Sequence, residues 1–292
     1  MIKNYLQLSE IEKYNAYEFI TRNQSNKISI QQVDAQLKDD LYELGKGCLF
    51  LFNKEILIAT IRIILKEVHT IGTAYIVALD ILDEIDNKVS IIRKMINEAS
   101  HTALRFNAKE IYFSTRDLNI VNLFKQDNIL HSYSAITMKL IDNNIRYNEL
   151  SLIQLSYENK LEYKQIHDDI FLNIPNGGSV SLNELDDKIN NKDNNNFQYI
   201  VMDDDINIGM LEICIYDNIG SFDLGLLKEY RNRGYGKRLL ETAIIFLRNI
   251  EKVDEINLLV ISKNTLVYNM YLKRGFVDKE IYSYWYDAKD FI

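Results

Sequence analysis

An α/β fold built twice along one chain, each copy a mixed sheet flanked by helices, is what this sequence predicts, and three observations predict it. First, the 292 residues are ample for two domains of ordinary size. Second, Leu6-Gln7-Leu8-Ser9 recurs as Ile153-Gln154-Leu155-Ser156, an offset of 147 residues. Third, each half shows the same succession: polar helical stretches, an apolar hairpin, a third strand, a long amphipathic helix and a buried strand. A short helix and a last strand complete each copy. A mixed sheet with helices on its faces is the economical way to bury such a series.

In the first half the helical stretch ends in Phe19-Ile20. The hairpin is Cys48 to Leu51, turn Asn53-Lys54-Glu55, then Ile56 to Leu65, and the third strand is Ala74 to Leu79. In the second half the helical stretch ends in Ile170-Phe171. The hairpin is Tyr199 to Met202, turn Asp203-Asp204-Asp205, then Ile206 to Tyr216, and the third strand is Ser221 to Leu227. Leu239, Leu240, Ala243, Leu247 and Ile250 then mark one face at helical spacing. Buried strands follow at Glu110 to Ser114 and Ile256 to Ile261. Asp142-Asn143-Asn144 interrupts the apolar pattern, so the boundary is set between residues 1–145 and 146–292. The single proline, Pro175, sits in the turn-rich run Asn173 to Gly178, either a plain connector or a loop lining a substrate site.

Composition narrows the function. Apolar residues make up 47% and charged residues 26%, the balance of a soluble globular chain. No run reaches the roughly 18 to 20 apolar residues of a membrane span, and the amino terminus has no signal-peptide character. A cytoplasmic protein that engages no membrane is the expectation. Two cysteines are too few for a disulfide framework, and four scattered histidines have no ligand spacing, so no metal is expected. The Asp203-Asp204-Asp205 tip is expected to be a solvated turn. A pI near 5.2 speaks against nucleic acid as partner.

The chemistry concentrates in Arg231-Asn232-Arg233-Gly234-Tyr235-Gly236-Lys237, which follows an apolar strand and opens a helix. Two glycines let the backbone curl so that several N–H groups converge at the positive end of the helix. Arg231, Arg233, Lys237 and Arg238 add positive charge in a chain of net charge −8. Such a turn suits a pyrophosphate. A dinucleotide site needs three glycines early in a βαβ unit, and a P-loop needs Gly-Lys-Ser or Gly-Lys-Thr; neither is present.

The run from Leu227 to Lys237 resembles the acetyl-CoA-binding segment of the GCN5-related N-acetyltransferases (GNAT): Arg or Gln, two residues, Gly, one residue, then Gly or Ala. A second signature, Asn264, Tyr271 and Gly275-Phe276, lies downstream at the family's distance, with Val267 where a small residue is usual and Lys228 where many members have proline. The resemblance implies two tandem GNAT-like domains, 1–145 degenerate and 146–292 catalytic. The catalytic domain would take acetyl-CoA as cosubstrate and a small-molecule or peptide amine as acceptor, by direct attack in a ternary complex.

Amides of Arg231 to Lys237 would hold the pyrophosphate, and Leu226 and Leu227 would pair with the pantetheine arm as an added strand. Asn264 would reach the same arm or serve as a simple N-cap. Tyr271 would be the general acid, since a phenol near ~10 can protonate a thiolate near ~8.5. For the general base, Glu212 and Asp223 both border the cleft and Glu212 is taken first; Glu229 is read as structural. Net acidity points weakly to cationic acceptors such as polyamines, aminoglycosides or lysine side chains. A CoA-binding regulatory module and an acyltransferase with another donor or acceptor, akin to small-thiol synthases, stay open, as do monomer and homodimer.

In the first half the stretch matching the glycine turn, Leu82 to Lys88, has no glycine and three acids. At the same offset Tyr271 becomes Phe124, Gly275 becomes Asn128 and Phe276 becomes Ile129. That half is expected to keep the geometry without the cofactor grip or the acid.

Overall fold

The computed structural model describes residues 1–291 apart from 86, 143, 173 and 192–194. The chain forms two compact units, Met1–Tyr133 with Ser283–Ile292, and Ser134–Tyr282. Both are mixed sheets flanked by helices, the predicted fold class. The cut at 145/146 follows the sequence repeat, whereas the compact units follow strand pairing. Each unit takes a terminal strand segment from the other repeat, because a strand belongs energetically to the ladder that satisfies its amides.

The first unit begins with β1 (Ile2–Asn4), α1 (Glu10–Thr21) and α2 (Ile30–Leu37). Both helices start at capping boxes, Ser9 with Glu12 and Ser29 with Gln32. The repeated tetrapeptide does not repeat its structure: Tyr5–Gln7 is a 3₁₀ turn and the strand is shifted to Ile2–Asn4. Asn4 caps that turn with Gln7 and ends the strand early. Next come β2 (Cys48–Asn53), β3 (Ile56–Ile64), α3 (Lys66–Ile71), β4 (Thr73–Ile81), α4 (Lys88–Arg105), β5 (Glu110–Thr115) and α5 (Leu118–Gln126). β1 to β4 pair antiparallel in order, β4 and β5 are parallel, and Tyr284–Asp287 lies antiparallel to β5. Phe113, Phe124, Tyr286 and Phe291 close this core, with Phe124 fully buried.

From Ser134 the second unit continues β6 (Tyr133–Leu140) into β7 (Ser151–Gln154), α6 (Lys160–Phe171), α7 (Leu182–Asn190), β8 (Asn196–Asp203), β9 (Ile206–Tyr216) and β10 (Ile219–Leu226). α8 (Tyr235–Ile245), β11 (Glu255–Ile261), α9 (Thr265–Arg274) and β12 (Phe276–Asp287) complete it, β12 belonging to this unit as far as Tyr282. The order β6-β11-β10-β9-β8-β7 is antiparallel except for β10 and β11. One face packs on α8 through Leu211, Ile213, Leu239, Leu240, Ala243 and Leu247. The other carries α6 and α7 through Tyr163, Ile166, Ile170, Leu185, Ile200 and Met210.

Ile250, expected on the buried face of α8, is exposed. Residues 246–250 form a π-helical turn, with Glu251 N–H donating to Phe246 at 3.2 Å, and the wider turn rotates Ile250 off the stripe. Deeper in the unit, Glu241 of α8 and Arg274 of α9 are both almost fully buried. Arg274 donates twice to Glu241 at 2.8 Å, and Arg146 N–H donates to the same carboxylate at 3.1 Å. Arg274→Met would strand a buried charge. The expected loss is about 3 kcal/mol or more in chemical denaturation. Arg274→Lys should recover only part, having no planar fork.

Candidate active site

β10 and β11 begin as parallel neighbours, Ile219 beside Glu255, Gly220 beside Ile256 and Ser221 beside Asn257. Among the described residues their ladder stops there, although β10 runs on to Leu226 and β11 to Ile261. The strands therefore splay. Leu227 N–H donates to the Ile208 carbonyl at 3.0 Å, and alternation along the ladder turns the backbone groups of Phe222, Leu224 and Leu226 toward the opening. Leu227 is thus committed to β9 and does not offer its amide to a ligand. Leu226 keeps its N–H toward the opening, but its carbonyl accepts Arg231 Nε at 2.9 Å.

At the end of β10 the chain makes a 3₁₀ turn, Lys228–Tyr230, and enters α8 through Asn232 at φ 62° and Gly234 at φ 91°. A Cβ on Gly234 would meet nothing within 4 Å, so glycine is required by conformation, not by crowding. A Cβ on Gly236 would make only ordinary contacts, with Met270 Sδ of α9 at 3.4 Å and Leu226 Cδ1 at 3.9 Å. Arg231 N–H donates to Lys228 and Lys237 N–H to Gly234. The five amides between them, Asn232 to Gly236, have no turn or cap hydrogen bond among the described residues, and no side chain caps the helix. The cradle is therefore narrower than Arg231 to Lys237.

The basic side chains divide. Arg231 ties the turn to β10. Arg238 pairs with Asp203 at 2.8 Å, and Tyr235 donates its hydroxyl to the same carboxylate at 2.9 Å. Asp203, expected to be solvated, thus anchors the hairpin tip to α8, and both hydrogen bonds hold its carboxyl below the usual range. Arg233 and Lys237 stay exposed beside the turn, with Lys237 Nζ 5.8 Å from the Tyr147 ring.

On the α6/α7 face lies a cavity of about 310 Å³. Its floor is two adjacent rows across β8, β9 and β10: Gln198, Glu212 and Asp223 in one, Asn196, Cys214 and Ser221 in the next. Lys188 and Asn191 wall it from α7 and the segment after it. Further along the same strands this face is apolar, Ile200 and Met210 under α6, so the polar rows interrupt a core-like surface. Glu212 accepts Lys188 Nζ at 2.7 Å and the Tyr163 hydroxyl at 2.5 Å. Asp223 is open to the cavity yet surrounded by protein. Burial first, and the charge of Glu212 second, raise its pKa, with Lys188 opposing.

Across the splay, Asn264 caps α9, its Oδ1 accepting from Val267 N–H at 3.4 Å. The N-cap role is realised, and the amide nitrogen is not consumed by it. Tyr271, one turn before the end of α9, is buried at 6% exposure and packs on Phe276. Burial, then the charge of Asp223, pushes its hydroxyl well above the ordinary phenol value, so it stays protonated.

Residues 162–276 match the acetyltransferase (GNAT) family. They are a GNAT-family domain. No curated protein matches the sequence. Solved structures share the fold at low identity. A GCN5-related N-acetyltransferase from Sphaerobacter thermophilus is similar at TM-score 0.59 and 10% identity, covering 99% of this chain and 95% of that one. One from Anabaena variabilis is similar at 0.60 and 10%, covering 98% and 72%. A GNAT-family acetyltransferase from Colwellia psychrerythraea is similar at 0.54 and 10%, covering 98% and 99%. These likenesses span both units.

Within the GNAT domain the glycine turn, Asn264 and Tyr271 were legible as motifs, and the splay and the polar rows were not. Gln198 and Asn196 read as ordinary strand residues, and Lys188 and Tyr163 as helix residues. Only register and helix packing bring them to Glu212 and Asp223. The signal available beforehand was polar residues alternating on three consecutive strands of a sheet covered by helices. Among the described residues no three His, Cys, Asp or Glu side chains form a group able to hold a metal, and no helix is long and apolar enough to cross a membrane.

The first unit supplies a contrast. α4, the counterpart of α8, is capped by Asn87, whose side chain accepts from Ser90 N–H at 3.4 Å. That occupies the helix end that an anion would need. Of Leu82 to Lys88, residue 86 lies outside the described residues, as do Asn143 and Asn173 of the segments named above.

Proposed function

We propose that the second repeat, residues 146–292, is an N-acetyltransferase that moves an acetyl group from acetyl-CoA to a primary amine by direct attack in a ternary complex. The single observation that carries this reading is the placement of an uncapped helix N-terminus and a splayed strand edge beside a polar cavity floored by Asp223. The family draws its acyl groups from acyl-CoA, and the acetyl thioester supplies the electrophilic carbon.

The residues divide the work. Amides from Asn232 to Gly236, with Arg233 and Lys237, hold the pyrophosphate, and the free backbone edge from Phe222 to Leu226 pairs with the amide-bearing arm. The amine enters as an ammonium. Asp223, directly or through water, takes one nitrogen proton and passes it to solvent. As the C–N bond forms and the C–S bond breaks, Tyr271 gives its proton to sulfur and regains the second nitrogen proton. Glu212 is placed second as base, because Lys188 and Tyr163 both donate to its Oε1. The first repeat, residues 1–145, keeps the scaffold without a donor site: its helix end is self-capped and Phe124 has no proton to give.

Titration calorimetry of acetyl-CoA into the full-length chain tests the donor site. Gly234→Glu combines a strained left-handed residue with a carboxylate at the anion cradle, and affinity should fall by about a hundredfold or more. Gly234→Asn tolerates the left-handed backbone and should lose less than about tenfold. Equal binding by Gly234→Glu and wild type would overturn the donor site. Free-thiol release with a panel of amines tests the reaction itself. Binding without release from any amine would leave a CoA-binding module instead.

A further inference from the structure

The charges lining the cavity do not follow the overall acidity of the chain. Among the described residues that line it, only Lys188, Glu212 and Asp223 are charged. Lys188 lies 2.7 Å from Glu212, and that pair is neutral in sum. Among the described lining residues Asp223 is the acid with no hydrogen-bonded cation, Lys188 acting on it only at longer range. The rest of the lining is neutral: the amides of Asn196 and Gln198, the Ser221 hydroxyl donating to the Cys214 carbonyl at 3.3 Å, and the Cys214 thiol, beside the apolar Ile213, Phe222 and Leu259. A volume of about 310 Å³ is at the small end of ligand pockets, which span about 300 to 1,000 Å³.

We infer that the acceptor is a small, singly charged primary amine with a neutral hydroxyl- or amide-bearing body, and that Lys188 excludes amines with a second positive charge. This rests on the acetyltransferase reading above. A monocation meets Asp223, and its hydroxyl or amide groups meet Gln198, Asn196 and Ser221. A polyamine would bring a second ammonium to a wall where Glu212 is already paired and Lys188 repels it. An apolar stem, such as that of a lysine side chain, would make no hydrogen bond to the amides of Gln198 and Asn196. Lys188 acts on selection through Glu212 and is a positioning residue.

The test uses full-length protein, saturating acetyl-CoA and thiol release with three acceptors: glucosamine, spermidine and a lysine-containing peptide. Amino-acid amides form a fourth arm that separates amide-bearing from hydroxyl-bearing bodies. Wild type should favour glucosamine or an amino-acid amide in kcat/KM by about tenfold or more over spermidine and the peptide. Lys188→Met uncovers Glu212 and should raise the spermidine-to-glucosamine ratio by about tenfold. Lys188→Arg keeps the pair and should keep the wild-type ratio. A purely structural role for Lys188 would lower all acceptors together and leave the ratio unmoved, which overturns the assignment. Preference of the wild type for spermidine or the peptide overturns the inference while acetyl transfer stands. Absence of thiol release from every amine, with acetyl-CoA bound, overturns the acetyltransferase reading and this inference with it.

Discussion

Asp223→Asn is expected to lower amine-dependent kcat/KM by about 10² to 10⁴-fold, the span that a positioned general base contributes, while making the protein more stable at neutral pH. Asp223 and Glu212 face each other across β9 and β10, and among the described residues Lys188, Tyr163 and Tyr271 are the other charged or titratable groups that bear on Asp223. Its folded-state pKa is raised, chiefly by burial and then by Glu212. The unfolded value is near 3.9. Between that value and the raised one the folded state binds more protons than the unfolded, so stability falls as pH rises through the interval. Asparagine removes that cost. The same titration sets the acid limb of the wild-type kcat/KM profile, because only the carboxylate can accept a proton. That limb should lie above the ordinary carboxylate range and vanish from the residual activity of the variant. Thermal melts at several pH values and a pH–rate profile check both halves. A variant as active as wild type would return the role to Glu212.

Tyr271→Phe should reduce kcat by about a hundredfold or more and leave acetyl-CoA affinity near wild type. The ring is buried against Phe276, and phenylalanine fills the same space, so packing is preserved. What is lost is one O–H. Because burial and the Asp223 charge keep that hydroxyl protonated, wild-type turnover should show no loss attributable to Tyr271 ionisation up to at least pH 10. An acetyl thioester whose thiol has a lower pKa needs less help in leaving. It should therefore suffer less from the substitution. An equal loss with both thioesters would mean that Tyr271 orients the donor instead of protonating sulfur.

The legible parts of this protein are those in which function is written along a continuous stretch. β9 falls where the hairpin pattern places it, and the other predicted strands lie within a few residues of their observed ends. Gly275 and its counterpart Asn128 both adopt left-handed backbone, φ 105° and 59°, after a short helix, as the offset implied. The glycine turn was readable because φ 91° at Gly234 demands glycine locally, whatever the rest of the chain does. Individual side chains were less legible. Arg231 and Arg238 look alike as mobile cations in sequence, yet one is spent on the Leu226 carbonyl and the other on Asp203. Leu226 and Leu227 are adjacent apolar residues, but pleating sends their amides to opposite sides.

By itself the sequence determined the doubled plan of the chain, the fold class, the glycine turn, and the loss of that turn from the first half. Each depends on local backbone preference or on the period of apolar residues, which short segments carry without knowledge of their neighbours. Tertiary structure alone decided which carboxylate is hydrogen-bonded to a cation and which is not, how the chain divides into compact units, and what charges line the cavity. Glu212 and Asp223 are eleven residues apart and equally acidic in sequence; register places them side by side, and Tyr163 of α6 and Lys188 of α7 hydrogen-bond Glu212 and not Asp223. Electrostatic energy depends on distance and burial, and neither exists until the strands pair and the helices pack.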